Sequence, residues 1–215
     1  MAITATNNSI VKELIEPGLH LARCYRMVQI GTVPENILGQ TKQLQKVRIG
    51  WEMPNLTKVF DPAKGEQPIV IEKEFTLSMA EKANLRAMLT SWRGKAFSEE
   101  EAKAFDITKL IGVPCMLNIT HKASKSDPSR KFDEISSVVP VMRGMTCPPQ
   151  VNPTFILSYD DWDEAKFETL PDFIKDKMKL SIEYQALHSK GAQTGAKDTF
   201  LEEMNADLDS EEVPF

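Results

Sequence analysis

The residues with most to offer a ligand lie between Pro114 and Pro140, PCMLNITHKASKSDPSRKFDEISSVVP. Lys122, Lys125, Arg130 and Lys131 stand here against one loop acid, Asp127. The Ser, Asp and Pro residues between Ala123 and Lys131 are turn formers, and the flanking runs from Cys115 to Lys122 and from Phe132 to Val139 read as strands. A hairpin end of this charge suits a polyanion. Binding a single nucleic-acid strand needs cations along the phosphates and aromatic faces for the bases. Further cations fall on expected strands at Arg23, Arg26, Lys46, Arg48 and Lys73, and aromatic or ring candidates are Tyr25, Trp51, Phe132 and His121. Trp51 shares a face with Val47 and Ile49 and reads first as core. Phe132 alternates with Glu134 and Ser136 and reads as outward-facing. Tyr25 lies in a strand where an expected bulge leaves its side open.

Signatures of catalysis are missing from the sequence. His20, His121 and His188 are isolated, and there is no HExxH, GxSxG, phosphate-loop or GxGxxG pattern. A metal-dependent nuclease would place Glu-x-Lys on a strand, where both side chains point the same way. The pairs Glu101 with Lys103 and Glu164 with Lys166 fall in helical stretches instead. Asp160, Asp161, Asp163 and Glu164 are accounted for by helix capping and dipole effects. Cys24, Cys115 and Cys147 are odd in number and lack metal-ligand spacing, so they are expected to be reduced and structural. The expectation is a protein without catalysis, metal or cofactor.

Charge is unevenly divided. Residues 1 to 145 hold 20 Lys and Arg against 16 Asp and Glu, while residues 146 to 215 hold 6 against 15. A basic body followed by an acidic C-terminal section is the asymmetry of a nucleic-acid-binding protein with an acidic tail. After Lys197 the charges are all negative, and the chain closes on DLDSEEVPF, Asp207 to Phe215. Asp207, Asp209, Glu211 and Glu212 would attract a basic partner, Pro214 would stiffen the approach, and Phe215 would supply an apolar anchor beside its carboxylate. The polar, acidic stretch from Ser189 is expected to be disordered.

The elements that must position these residues follow from periodicity. Leu19 to Gly31 reads as a first strand closed by Gly31 and Pro34, and Gln45 to Met53 alternates as a second. Asn55 to Gln67 reads as a loop or hairpin turn, and Pro68 to Leu77 as a third strand. Ser78 and Glu81 have capping-box spacing ahead of a helix carrying Leu85, Met88, Leu89 and Trp92 to Gly94, and Ser98 and Glu101 open another. The Cys115 and Phe132 strands follow. A proline-rich linker then leads to a short extended piece at Phe155 to Ser158. Asp161 and Glu164 form a third box, Pro171 suits a first helical turn, and Phe173, Ile174 and Met178 follow it. Three strands, helices and two strands is the order of a five-stranded OB-fold barrel, a Greek key, with an enlarged helical insertion between strands 3 and 4. A small α+β sheet has the same element list.

The DLDSEEVPF ending resembles the acidic Pro-Phe tip of bacterial and phage single-stranded DNA-binding proteins. The body is similar to a phage-encoded OB-fold group of these proteins through RIGWEMP, FTLSMAEKANLRAMLTSWRGKAF, IGVPCMLNITHK, EISSVVPV and YDDWDEAKFETLPDFIK. The resemblance implies sequence-independent binding of single-stranded DNA in phage replication or recombination, with the tip recruiting replication and recombination proteins. Ser189 to Thr199 is short beside the long Gly/Gln-rich linker of the bacterial tetramers, so the resemblance does not carry over their tetramerisation and leaves the choice between monomer and homo-oligomer open. The expected organisation is an OB-fold domain over 1–145, a linker and helical appendix over 146–188, and a tail over 189–215. No membrane span or signal peptide is read, and the cytoplasm, of a bacterial host for a phage protein, is the expected compartment. The competing reading is a protein-interaction adaptor or inhibitor with a DNA-mimicking tail.

Overall fold

Strand β1 (Gly18–Ile37) pairs with three others, and that pairing sets the architecture of the computed structural model, which describes residues 13–124 and 127–189. With β2 (Gln40–Asp61), β3 (Gly65–Thr76), β4 (Pro114–Ala123) and β5 (Lys131–Val139) it forms a sheet of order β3-β2-β1-β4-β5. A short sixth strand, β6 (Phe155–Leu157), runs parallel to β1, matching Arg26 with Phe155 and Val28 with Leu157. The chain is mainly β, with few helices. Among the described residues no helix is long and apolar enough to cross a membrane.

Both N-terminal hairpins are longer than their periodicity suggests. β1 passes through Gly31 and Pro34 and ends only at Ile37. Gly31 takes φ +93, a conformation that costs glycine little, and the strand continues through it. Within 55–67, expected as a loop or hairpin turn, the hairpin turn is confined to residues 62–64, and 55–60 is strand. Leu56, Thr57, Val59 and Phe60 supply apolar and β-branched character that the neighbouring Asn55, Pro62 and Gly65 mask in a sequence window.

Helix α1 (Asn84–Arg93) starts later than its expected box. Its N-cap is Ala83, without a side-chain cap, and Ser78 and Glu81 precede it in turns closed by backbone bonds such as Ala83 N–H to Ala80 O at 2.9 Å. Gly94 ends the helix at φ +68, its N–H reaching Thr90 O and Ser91 O. The Ser98 and Glu101 box does open α2 (Glu99–Lys103), with both reciprocal bonds formed. The Arg93 guanidinium and the Ser98 N–H hold the Glu101 carboxyl down to about 2. In α3 (Glu164–Glu168) the cap is Asp163, two residues beyond Asp161, and it accepts from Lys166 N–H. Pro171 is the N-cap of α4 (Asp172–Lys179), and a last helix, α5, covers 182–189.

Contacts divide the chain into two compact units that do not follow its order. Of the described residues, one comprises 13–25, 50–73 and 80–154; the other comprises 26–49, 74–79 and 155–189. In the first, Ala22, Cys24, Trp51, Leu85, Cys115, Leu117, Ile119 and Val138 are fully enclosed, and the Trp51 and Trp92 rings meet at 5.9 Å. The three cysteines are buried, and none of them forms a disulfide. In the second, Val28, Ile30, Val33, Leu157, Phe167, Leu170, Ile174 and Met178 form the core, with Tyr159, Trp162 and Tyr184 packed against it. The 155–189 segment therefore shares a core with the later half of β1.

Within that second unit, Gly31 is where the C-terminal segment comes closest to β1. Glu183 accepts hydrogen bonds from Thr32 N–H at 2.6 Å and Thr32 Oγ1 at 2.7 Å, and Tyr159 Oη shares a 2.8 Å bond with Ser181 Oγ while donating to Ile30 O. A Cβ at Gly31 would stand 2.6 Å from Ser181 Cβ and 2.8 Å from Glu183 Oε2. Gly31→Ala should therefore lose at least about 2 kcal/mol in urea unfolding, from the clash and the positive φ together. An unchanged midpoint would contradict this packing.

Candidate nucleic-acid interface

The β4 and β5 hairpin is built by register. Ile119 pairs with Ile135 and His121 with Asp133 on one face; Thr120 pairs with Glu134 and Lys122 with Phe132 on the other. Ile119 and Ile135 are core, so the row carrying Lys122 and Phe132 turns away from it. Phe132 is 46% exposed, as its alternation with Glu134 and Ser136 predicts. Lys122 lies opposite it and reaches Glu134 Oε1 at 3.3 Å, an exposed pair of small energetic weight. Lys131 pairs with Ala123 at the mouth of the loop, and Arg130 is exposed beside it.

The described part of the loop is organised by its acid. Asp127 Oδ1 accepts from Ser129 N–H at 3.1 Å and Ser129 Oγ at 2.6 Å. These bonds hold its carboxyl below the usual range. Arg130 N–H donates to Asp127 O, and Ser124 N–H to Arg130 O at 2.8 Å. The turn thus holds Arg130 next to Lys131 through backbone bonds and leaves their side chains at the surface. Lys125 lies outside the described residues.

On the opposite row, His121 and Asp133 hold the segment before β1. His121 Nε2 lies 2.8 Å from Ile15 O, and Asp133 Oδ1 accepts from Ile15 N–H at 2.9 Å. His121 is thereby a structural clamp. Lys73 Nζ donates to Ile135 O at 2.5 Å and so fastens β3 to the backbone of β5. Arg23 is committed to the fold: it donates to Gly112 O at 2.5 Å, to Pro148 O at 2.9 Å and to Cys147 O at 3.2 Å. Tyr25, 8% exposed, and Trp51, wholly buried, are core aromatics. None of these five presents its side chain as the cations and rings of the hairpin do.

Lys46 and Arg48 belong to the second unit and have their own partners there. Lys46 Nζ is 3.9 Å from Glu35, with its side chain 14% exposed; Glu35 in turn pairs with Lys177 at 2.7 Å, as does Glu74. The Lys177 ammonium holds the Glu35 carboxyl below its ordinary range. Arg48 lies 5.4 Å from the centroid of the Phe173 ring, and Phe173 is 63% exposed. Arg26 sits over Phe155 at 4.5 Å. Phe173 is a surface aromatic that the sequence analysis names in the helical appendix without assigning it a side. Ile174 and Met178, four apart, define the buried stripe, and Phe173 falls about 100° off it at 3.6 residues per turn. That offset was the available signal.

Asp207, Asp209, Glu211, Glu212, Pro214 and Phe215 lie outside the described residues. Among the described residues no group of three or more His, Cys, Asp or Glu is placed to hold a metal ion. Comparison of the chain with protein-family models, with curated proteins and with solved structures finds no match.

The sorting of the basic residues has a direct check. Arg23→Ala should lower stability by about 2–4 kcal/mol, since the part-buried bonds to the Gly112, Cys147 and Pro148 carbonyls lose a charged donor. Lys131→Ala and Arg130→Ala, which are exposed, should stay within about 0.5 kcal/mol of the parent. Urea midpoints for the three variants decide the matter, and a stability-neutral Arg23→Ala would return Arg23 to the set of available cations.

Proposed function

We propose that this protein binds single-stranded DNA without sequence preference, acting in phage DNA replication or recombination in the bacterial host cytoplasm. It binds without catalysis, and its acidic C-terminal tip recruits replication and recombination proteins. The observation that carries the reading is the juxtaposition of Phe132, a half-exposed ring turned away from the core, with Lys122 directly across the hairpin on the same row; Arg130 and Lys131 are exposed at the hairpin mouth, where Lys131 starts from the opposite row. Cations follow phosphates and the ring accepts a base; both interactions tolerate any sequence. The strand order adds support. A β1 flanked by β2 and β4, with β5 beyond β4, is the order of an OB-fold Greek key, and the Lys73 bond to Ile135 O links β3 to β5 where such a barrel would close. In that fold the loop between strands 4 and 5 borders the ligand.

One feature favours the adaptor reading. An apolar cleft of about 350 Å³ in the first unit, lined by Leu89, Trp92, Phe97, Phe105, Leu110 and Pro140, has the character of a protein-binding surface. The two readings part on salt. Fluorescence anisotropy with labelled oligo-dT should show binding at low salt that weakens as salt rises, and each of Lys122→Ala, Arg130→Ala and Lys131→Ala should reduce the log-log slope by about 0.7. Phe132→Ala should cost about 1–3 kcal/mol of affinity with the slope retained. No binding at low salt, or no salt dependence, defeats the DNA reading.

Deleting Asp207 to Phe215 should leave oligo-dT affinity unchanged or raise it, because an acidic tail competes with phosphate. Marked weakening in the same titration would mean that the tail belongs to the DNA site.

A further inference from the structure

The turn joining β1 to β2 breaks two local rules at one residue. Leu38 and Gly39 take φ +52 and +81, the doubly positive pattern of a type I′ turn, for which Asn-Gly is the preferred pair. Leucine brings neither the local hydrogen bonding of asparagine nor the freedom of glycine, and in the left-handed region its Cβ crowds the following carbonyl. Packing does not compensate. Leu38 is 100% exposed and Ile37 beside it 39%, so the strained position yields no burial. Asn36 Oδ1, accepting from Gly39 N–H at 2.9 Å, holds the turn in this form. A bulky apolar side chain is thus presented to solvent at the tip of a hydrogen-bonded hairpin.

The shaft below it limits what such a tip could meet. Asn36, Gln40, Thr41 and Gln43 offer amides and a hydroxyl, and from Asn36 to Trp51 there is no Asp or Glu, while Lys42, Lys46 and Arg48 are basic. A hydrogen-bonding shaft whose nearest acid, Glu35, is paired with Lys46 and Lys177, and which ends in one apolar point, matches a ligand that sets flat apolar surfaces between negative charges, which is the chemistry of stacked bases on a phosphate backbone. Apolar side chains pushed between base steps unstack them. A membrane surface would call for a far larger apolar face.

We infer that the β1–β2 hairpin is a wedge whose Leu38 inserts between neighbouring bases of the bound strand and unstacks them. The inference rests on the nucleic-acid reading above and adds to it an action on base stacking. Backbone strain retained without a packing return is the mark of a functional position.

The test uses the full-length protein, Leu38→Asn and Leu38→Phe. Leu38→Asn restores the favoured Asn-Gly turn, so its urea midpoint should equal or exceed the parent's. The parent should raise the fluorescence of a 2-aminopurine stacked between adenines in a single strand. Leu38→Asn should lose most of that rise, Leu38→Phe should keep it, and all three should bind oligo-dT, whose bases stack poorly, with the same affinity. An undiminished rise with Leu38→Asn overturns the wedge while leaving DNA binding intact. Equal loss of oligo-dT affinity makes Leu38 a general contact, and a lowered urea midpoint makes it structural; either also overturns the wedge. Failure of the parent to bind either oligonucleotide overturns both the wedge and the proposed function.

Discussion

Backbone hydrogen bonding along β1 is the constraint from which the other features follow. Its twenty residues carry ladders to β2, β4 and β6, and its two halves belong to different compact units. A strand paired on both sides has few free polar groups, so its side chains can be apolar on both faces. Cys24 with Tyr25, Met27 with Val28, and Ile30 with Gly31 are adjacent pairs in which both members are buried. The early half places β4, and with it the hairpin that presents Phe132. The later half places β6 and the core on which α3 and α4 pack. Gly31 sits within this strand, where a side chain would obstruct the closest approach of Ser181 and Glu183.

Basic residues in this protein do two kinds of work, and charge alone does not tell them apart. Arg23 and Lys73 donate to the main-chain carbonyls of Pro148 and Ile135. Glu52 does the converse: fully buried, it accepts from Val151 N–H, Asn152 N–H and Asn152 Nδ2, each at 2.7 Å, and so fixes the proline-rich connection after β5. Lys46 and Lys177 neutralise Glu35 and Glu74 within the second unit. The exposed Lys122, Arg130 and Lys131 gather at one hairpin end, and Lys122 shares the outward row with Phe132.

Much was legible in the sequence because it depended on short-range geometry. The two strands of the β4–β5 hairpin, the outward side of Phe132, the Ser98 and Glu101 box and the Gly94 stop follow from alternation, side-chain reach over three residues, and the tolerance of glycine for positive φ. Local signals failed where tertiary contacts were decisive. Ser78 and Glu81 had the spacing of a box but precede the helix, since the chain first turns through backbone bonds after β3. Gly31 and Pro34 looked like a strand end because a sequence window cannot contain the paired strand that carries β1 past them.

From the sequence alone came the mainly β character, the basic body with its acidic end, the aromatic and cationic hairpin, and the absence of known catalytic motifs. These are properties of composition and of contacts within a few residues. Tertiary structure decided which cations remain available. Whether Arg23, Lys46 or Lys73 can meet a phosphate depends on carbonyls and carboxylates more than ten residues away in the chain, Gly112 and Pro148, Glu35, and Ile135. It also decided that Tyr25 faces the core, that Phe173 faces out, and that Leu38 is held at a tip without cover. Burial is a property of the assembled fold, and no periodicity in the sequence specifies it for a residue at a bend or a turn.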